Sequence, residues 1–512
     1  AFADQGMRAT SHPPAAQTAI SILQQGGNAV DAAIGAAILL GICEPQSTGI
    51  GGDMFALVAQ PDGQIIGLNA SGRAPAGLDP AALRAQHGTT MPLYDVAAVT
   101  VPGAIDGFCR LHTDHGHLPM ADVLAPSIHY AEAGVPIAPR GALDYTQSAD
   151  VITGHARNLF LQHDKPLPIG ARFTAPGQAE VLRRIAAQGR AAFYEGDIAE
   201  DMVDSLRAAG GTHTLDDFAA TACDYVEPLR STYRGAELLE LPPNGQGATA
   251  MLILNMLETL PVHDDPFGAA RAHQEAEVTR LGYDARDRFI ADMDHMTRLD
   301  HMLSKDIAAQ LAALIQPDAR MHNAYEASEN VHKDTIYITV VDKDRQAVSL
   351  IYSIFHSFGS GIASDKFGIL FQNRGGGFTL EEGHPNEAGP GKRPMHTIIP
   401  GILKLEDGSL MPFGVMGGAY QSTGHARFVS NVVDYGMGPQ DAIDGPRAFA
   451  EAGHVKVETG YSDEVRTALE ACGHTLEAPL QPIGGAQAIR IRPDGVLEGG
   501  SDPRKDGIAL GY

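Results

Sequence analysis

The sequence predicts an α+β fold, a four-layer αββα sandwich with a helical layer on each side of a layered sheet core. Three observations lead to it. Strand patterns near the start give way to a long, mainly helical stretch and then return after residue 335. Residues 29–43 are alanine-rich and apolar on most sides, so they read as a buried helix. Ile336–Val341 is β-branched or aromatic at every position, which suits a buried strand.

The elements follow in order. Residues 13–25 have helical apolar spacing and stop at Gly26-Gly27; Asn28 then caps the buried helix 29–43. Residues 47–53 form a glycine-rich turn, but no GK[ST] or GxGxxG pattern follows, which argues against phosphate binding. Residues 54–59 and 64–69 read as strands joined by Pro61-Asp62-Gly63. Residues 79–315 are mostly helical in pattern, with helices at 119–133, 179–188, 198–209 and 247–257. Leu239 to Leu241 is a short strand before the sharp turn Pro242-Pro243-Asn244-Gly245. Residues 316–333 are polar and aperiodic, an exposed loop running into the strand that opens at Thr335. Residues 342–345 make a hairpin turn and 347–352 return. Strands are expected at 368–371, 397–405 and 412–415, a glycine turn at Arg374-Gly375-Gly376-Gly377, and a helix at 421–435 after Gly417-Gly418. No repeat of fixed period is present.

Composition narrows the function. Across 512 residues the apolar content is 44%, enough for a sizeable core, and the formal net charge is −25. Such charge argues against a nucleic-acid partner and against an anionic membrane surface. The longest apolar run is about a dozen residues, too short to span a bilayer. No signal peptide is visible, so a soluble protein of cytoplasm or periplasm is expected. Cys43, Cys109, Cys223 and Cys472 show no metal or redox spacing. His112, His115 and His117 read as an exposed connector, and the pairs Asp264-Asp265 and Glu381-Glu382 as solvated turn charges. No metal and no cofactor are expected.

Thr335 admits two readings. It is an ordinary strand residue, or the chain is cut after Asp334 and the new α-amine serves as base for the threonine hydroxyl. Ordered motifs decide between them: residues 26–33, 44–52 (EPQSTGIGG), 101–103, Pro242-Pro243, 339–342, 358–361, 392–394, Gly417-Gly418 and 501–504. Together, over nearly the whole chain, they resemble the γ-glutamyltranspeptidase family of N-terminal nucleophile hydrolases. The resemblance implies an αββα fold and autocatalytic cleavage between Asp334 and Thr335. That would give a large subunit of residues 1–334 and a small subunit of residues 335–512, held together as one catalytic unit; a dimer of this heterodimer stays open. It implies Thr335 as nucleophile, Ser353 as a hydroxyl beside it, and the N–H groups of Gly417 and Gly418 as oxyanion donors. Thr339 lies on the same strand face, and Asn244 in a turn near the site; for both, packing is an equal alternative.

The pocket departs from the family pattern. The family's carboxylate-gripping arginine falls at Ser71, with Arg73 two residues on. Positions that hold the substrate ammonium fall at Phe355 and Gly377, and an adjacent serine pair falls at His396 and Thr397. Phe355 and Gly377 offer an ammonium neither acceptor nor charge, whereas Arg73, Arg374 and His396 offer positive charge. Arg73 is equally readable as a surface ion pair. The expected substrate is therefore a small-molecule amide whose acyl part carries a carboxylate but no α-amine, as in the acylase and amidohydrolase branch. Residues 378–390 form a shorter loop than the family's usual cover, which favours water over amine as acyl acceptor. The alternatives are true γ-glutamyl transfer or glutathione hydrolysis, and an inactive binding member of the fold.

Overall fold

The computed structural model describes residues 1–321 and 336–512. Asp334 and Thr335, the expected cleavage pair, lie outside the described residues, as do residues 322–333 of the expected loop.

Two antiparallel seven-stranded sheets form the core. The first runs Ile508–Gly511, Met7–Thr10, Ile336–Val341, Ala347–Ser353, Asp53–Ala59, Ile65–Ala70, Asp224–Val226. The second runs Phe2–Ala3, Leu497–Ser501, Gly485–Ile491, Leu410–Met416, Gly401–Lys404, Ala236–Glu240, Leu229–Tyr233. Ile336–Val341 thus lies between a strand from the start of the chain and its own hairpin partner. Its period-2 alternation decides the layers. Tyr337 and Val341 join Phe55, Leu239, Ile402 and Met416 in the apolar layer between the sheets. Ile336, Ile338 and Val340 point the other way, onto the buried faces of Pro13–Gln24 and Ala29–Cys43. The second sheet's outer face, through Leu238, Leu403, Phe413 and Val415, is covered by Gly247–Thr259, Ala269–Phe289 and Gln421–Tyr435. The architecture is the expected αββα sandwich.

Small residues allow the close helix packing. All of Ala29–Cys43 is buried, and a Cβ on Gly35 would stand 2.3 Å from Ile22 Cδ1. Asn28 caps this helix as expected: its Oδ1 accepts the Asp31 N–H at 3.0 Å while Asp31 Oδ2 accepts the Asn28 N–H at 3.1 Å, a box contributing about 1 kcal/mol.

Three expectations need correction. Residues 368–371 are not a strand; Gly368 has a φ of +67°, and only an isolated bridge joins Ala363 to Leu370. The expected strand 397–405 starts only at Gly401, because residues 396–399 turn away to hydrogen-bond with the segment around Gln246 and with Gln421. His112 and His115 lie not in a loop but in the last turn of the helix Ala104–His115. Among the described residues no helix is long and apolar enough to cross a membrane, and all four cysteines are free.

Candidate active site

The candidate site lies where Ile336–Val341 begins. Its register pairs Ile336 with Tyr352, so the partner strand ends one residue further on, at Ser353. Ser353 in turn pairs with Asp53, the first residue of the next strand. The glycine-rich turn before Asp53 serves close packing here. A Cβ on Gly52 would stand 2.3 Å from the Ser353 carbonyl oxygen, so only glycine lets the two segments meet. The Ser353 Oγ accepts the N–H of Phe355 at 2.8 Å and so shapes the bend that follows the strand. Phe355 is buried at a φ of +82°, a conformation that costs a non-glycine residue about 1–3 kcal/mol.

The second sheet supplies the opposite wall. Leu410–Met416 runs into Gly417 and Gly418, which have φ values of +117° and +56°. Tyr420, not either glycine, donates the N–H that closes this turn onto the Gly417 carbonyl, at 3.1 Å. Among the described residues neither glycine's N–H closes a turn or loop bond. Gln246 ties the walls together: its Nε2 donates to the Thr397 carbonyl at 2.7 Å and to the Gly418 carbonyl at 2.9 Å.

Arg374 is fully buried beside Thr397 and Phe355. Its Nη1 donates to Thr397 Oγ1 at 3.0 Å, and its Cζ lies 4.1 Å from the centre of the Phe355 ring. Its Nε and Nη2 have no hydrogen-bond partner among the described residues. Those two atoms form the side-on edge of the guanidinium fork, the edge that takes a carboxylate in bidentate fashion. Burial pulls the group down from its usual range to about 9, with Asp53 opposing, so the cation persists at neutral pH.

Asp53 and His396 complete the polar network. Asp53 Oδ1 accepts from Gly72 N at 2.8 Å, Gly103 N at 3.2 Å and Gln372 Nε2 at 2.8 Å. Asp53 Oδ2 lies 3.1 Å from His396 Nε2. His396 Nδ1 accepts the Ile398 N–H at 3.3 Å, so this network assigns the imidazole proton to Nε2, donated to Asp53. Burial, reinforced by Arg374, pushes His396 down to about 3, and the ring is neutral at working pH. His396 therefore adds no charge here, contrary to expectation, and the nearby Arg374 is cationic.

The other expected residues fall elsewhere or are already engaged. Arg73 is half-exposed; its Nη1 lies 3.3 Å from Asp292 Oδ2 and donates to the Gly391 carbonyl at 3.1 Å, which fits the surface ion-pair alternative. Asn244 is buried and its amide is consumed: Nδ2 donates to Ser71 Oγ at 3.0 Å and to the Pro394 carbonyl at 2.7 Å, and Oδ1 accepts from Asn69 at 2.9 Å. Thr339 sits mid-strand opposite Ser349, with its side chain buried. Asp53, Gln246 and Gln372 escaped the sequence reading. The one signal was Asp53 ending a glycine-rich turn, a carboxylate facing backbone N–H groups.

Gly417 offers a test of the turn. A Cβ there would stand 2.8 Å from Gly484 Cα, besides the strained φ; Gly436, at a φ of +64°, has nothing within 4 Å. Gly417→Ala is expected to destabilise by about 1–3 kcal/mol, and Gly436→Ala by about 1 kcal/mol. Thermal melting compares them; equal shifts would remove the steric argument.

Comparisons with known proteins place the chain in a family. A family model described as Gamma-glutamyltranspeptidase matches residues 15–512. The chain is 33% identical to the glutathione hydrolase-like YwrD proenzyme of Bacillus subtilis, over 99% of this chain and 98% of that protein. It is 32% identical to the oxamate amidohydrolase proenzyme of Klebsiella pneumoniae, with the same coverage of 99% and 98%. The crystal structure of a cephalosporin acylase from Bacillus halodurans superposes with a TM-score of 0.92 at 36% identity, covering 100% of this chain and 96% of that one.

Proposed function

This chain belongs to the gamma-glutamyltranspeptidase family of N-terminal nucleophile hydrolases, and from that premise we propose an amidohydrolase that cleaves small amides whose acyl part carries a carboxylate. The precursor is cut between Asp334 and Thr335 into residues 1–334 and 335–512; relatives at 33% and 32% identity are named proenzymes. Ile336 pairs with Tyr352, and Thr335 and Ser353 are the residues adjacent to them in sequence, which supports Ser353 as the hydroxyl beside the nucleophile.

The reaction follows from these groups. Thr335 Oγ1 attacks the amide carbonyl, and the Thr335 α-amine takes the proton. The N–H groups of Gly417 and Gly418 receive the developing oxyanion, an arrangement contributing about 3 kcal/mol per donor in other enzymes. The C–N bond breaks, the amine or ammonia leaves with the proton, and water hydrolyses the resulting ester.

The buried, half-partnered guanidinium of Arg374 carries the substrate reading. A buried cation with a free bidentate edge is costly to fold and pays off only when an anion arrives. An ammonium has no matching partner here. Phe355 lies beneath Arg374, His396 is neutral, and both oxygens of Asp53 are engaged by internal donors. The glutathione-hydrolase alternative needs Arg73 to grip a carboxylate, and Arg73 is held by Asp292.

A matched panel tests the reading: glutaryl and γ-glutamyl anilides, oxamate, and a neutral acyl anilide, read as released amine or ammonia. The expected result is turnover of at least one carboxylate-bearing amide lacking the α-amine, with kcat/KM about 10-fold or more above γ-glutamyl anilide. Equal or faster γ-glutamyl turnover would overturn the pocket assignment.

A further inference from the structure

A second polar cluster lies apart from the candidate active site. His273 and Glu277 are four residues apart on Ala269–Phe289, so they project from one helix face. His474 follows the helix Asp463–Ala471 and meets them from another element. One donor atom from each lies within 4.8 Å of the others. The residues are 2%, 0% and 4% exposed, respectively. Ala272 and Ala276 of the same helix belong to a buried apolar cluster with Val455 and Leu469.

The candidate donor atoms converge. His273 Nε2 lies 2.7 Å from the Gln316 carbonyl, which accepts only from a protonated nitrogen, so Nδ1 carries the lone pair. That Nδ1 faces His474 Nε2 at 2.7 Å. Glu277 Oε2 is engaged by the Met321 N–H at 2.8 Å, while Oε1 has no hydrogen bond among the described residues. This is the outer-shell arrangement of a metal site: a carbonyl orients one imidazole and a backbone N–H orients the carboxylate. In the empty form one imidazole must turn a proton toward the other. His474 then has a lone pair at Nδ1, which has no partner among the described residues.

We propose that His273, Glu277 and His474 bind one divalent transition metal ion of the zinc class. The N₂O ligand set with a fourth position for water suits tetrahedral zinc, with metal–ligand bonds of about 2.0–2.2 Å. The two imidazole nitrogens must then part to about 3.3 Å, a small side-chain movement. The charge balance excludes hard cations. Arg280 Nε lies 3.4 Å from Glu277 Oε1, and Arg320 adds positive charge nearby. A single carboxylate against two guanidiniums cannot hold calcium or magnesium, which need several oxygen ligands, whereas two imidazoles bind zinc by coordination. The ion would tie the helix Ala269–Phe289 to His474 and so bridge residues 1–334 and 335–512. Only that bridging role rests on the proposed cleavage.

Tag-free protein, stripped with a chelator, is titrated with Zn²⁺ and with Co²⁺, and intact mass records whether the chain is cut. One equivalent of Zn²⁺ is expected to bind, with visible Co²⁺ absorption of tetrahedral type and a raised Tm with Zn²⁺ but not Mg²⁺. Glu277→Gln and His474→Gln should each weaken Zn²⁺ binding by about 10²-fold or more. Wild-type protein with no stoichiometric Zn²⁺, with only octahedral Co²⁺ absorption, or with affinity unchanged in folded His474→Gln overturns the assignment. If the variants fail to fold, wild-type stoichiometry and the Co²⁺ spectrum still decide. Because the readout is metal content, its failure leaves the amidohydrolase reading untouched.

Discussion

Thr335→Ala is expected to leave one uncut chain of 54.0 kDa and to lower amide turnover by at least about 10³-fold. The same hydroxyl is asked to do two things. In the proposed mechanism it attacks the Asp334–Thr335 bond of the precursor, and then the substrate amide in the mature enzyme. Removing it takes away both, while the α-amine base is not even liberated. Thr335→Ser keeps the hydroxyl and should restore cutting with a fraction of wild-type turnover. Intact mass and amine release measure the two effects separately. An alanine variant that is still cut at this bond, or that keeps turnover within 10-fold of wild type, would remove Thr335 from the mechanism.

Arg374→Met is expected to lower kcat/KM for carboxylate-bearing amides by about 10²–10³-fold without loss of thermal stability. The activity loss follows from removing the charged fork that a buried carboxylate must meet, an effect of about 2–5 kcal/mol. The stability expectation has the opposite sign. A buried guanidinium with unpartnered Nε and Nη2 costs desolvation that one bond to Thr397 does not offset. A methionine of similar reach keeps the contact with Phe355 and removes that cost, so Tm should stay level or rise. Arg374→Lys keeps the charge but not the fork and should fall between the two. A neutral acyl anilide is the control: its turnover should change little. A variant that loses activity equally on charged and neutral amides, or that unfolds at lower temperature, would make Arg374 a structural residue.

Much of the architecture was legible in the chain because it rests on local rules. Helix caps, glycine stops and the period of apolar residues act over a few residues. Asn28 with Asp31, the hairpin around residues 342–345 and the helix Gln421–Tyr435 could therefore be read directly. The two misread strands have one cause. Residues 368–371 and 397–400 are apolar enough for strands, but tertiary hydrogen bonds bend them away from a ladder. Apolar composition reports burial, not pairing.

The site divides along the same line. The ordered motifs, through the family they resemble, were enough to propose Thr335, Ser353 and the pair Gly417-Gly418 as the catalytic groups. Which arginine serves the pocket was not decidable in this way. Arg73 and Arg374 are the same side chain, and only the fold leaves one half-exposed against Asp292 and buries the other beside Thr397. The neutrality of His396, the role of Asp53, and the convergence of His273 and Glu277 with His474 likewise belong to the tertiary structure. Charge states and donor sets depend on distances of a few ångströms between residues far apart in the chain. The sequence determined the fold class and family; folding alone decided which charges are buried and left without partners.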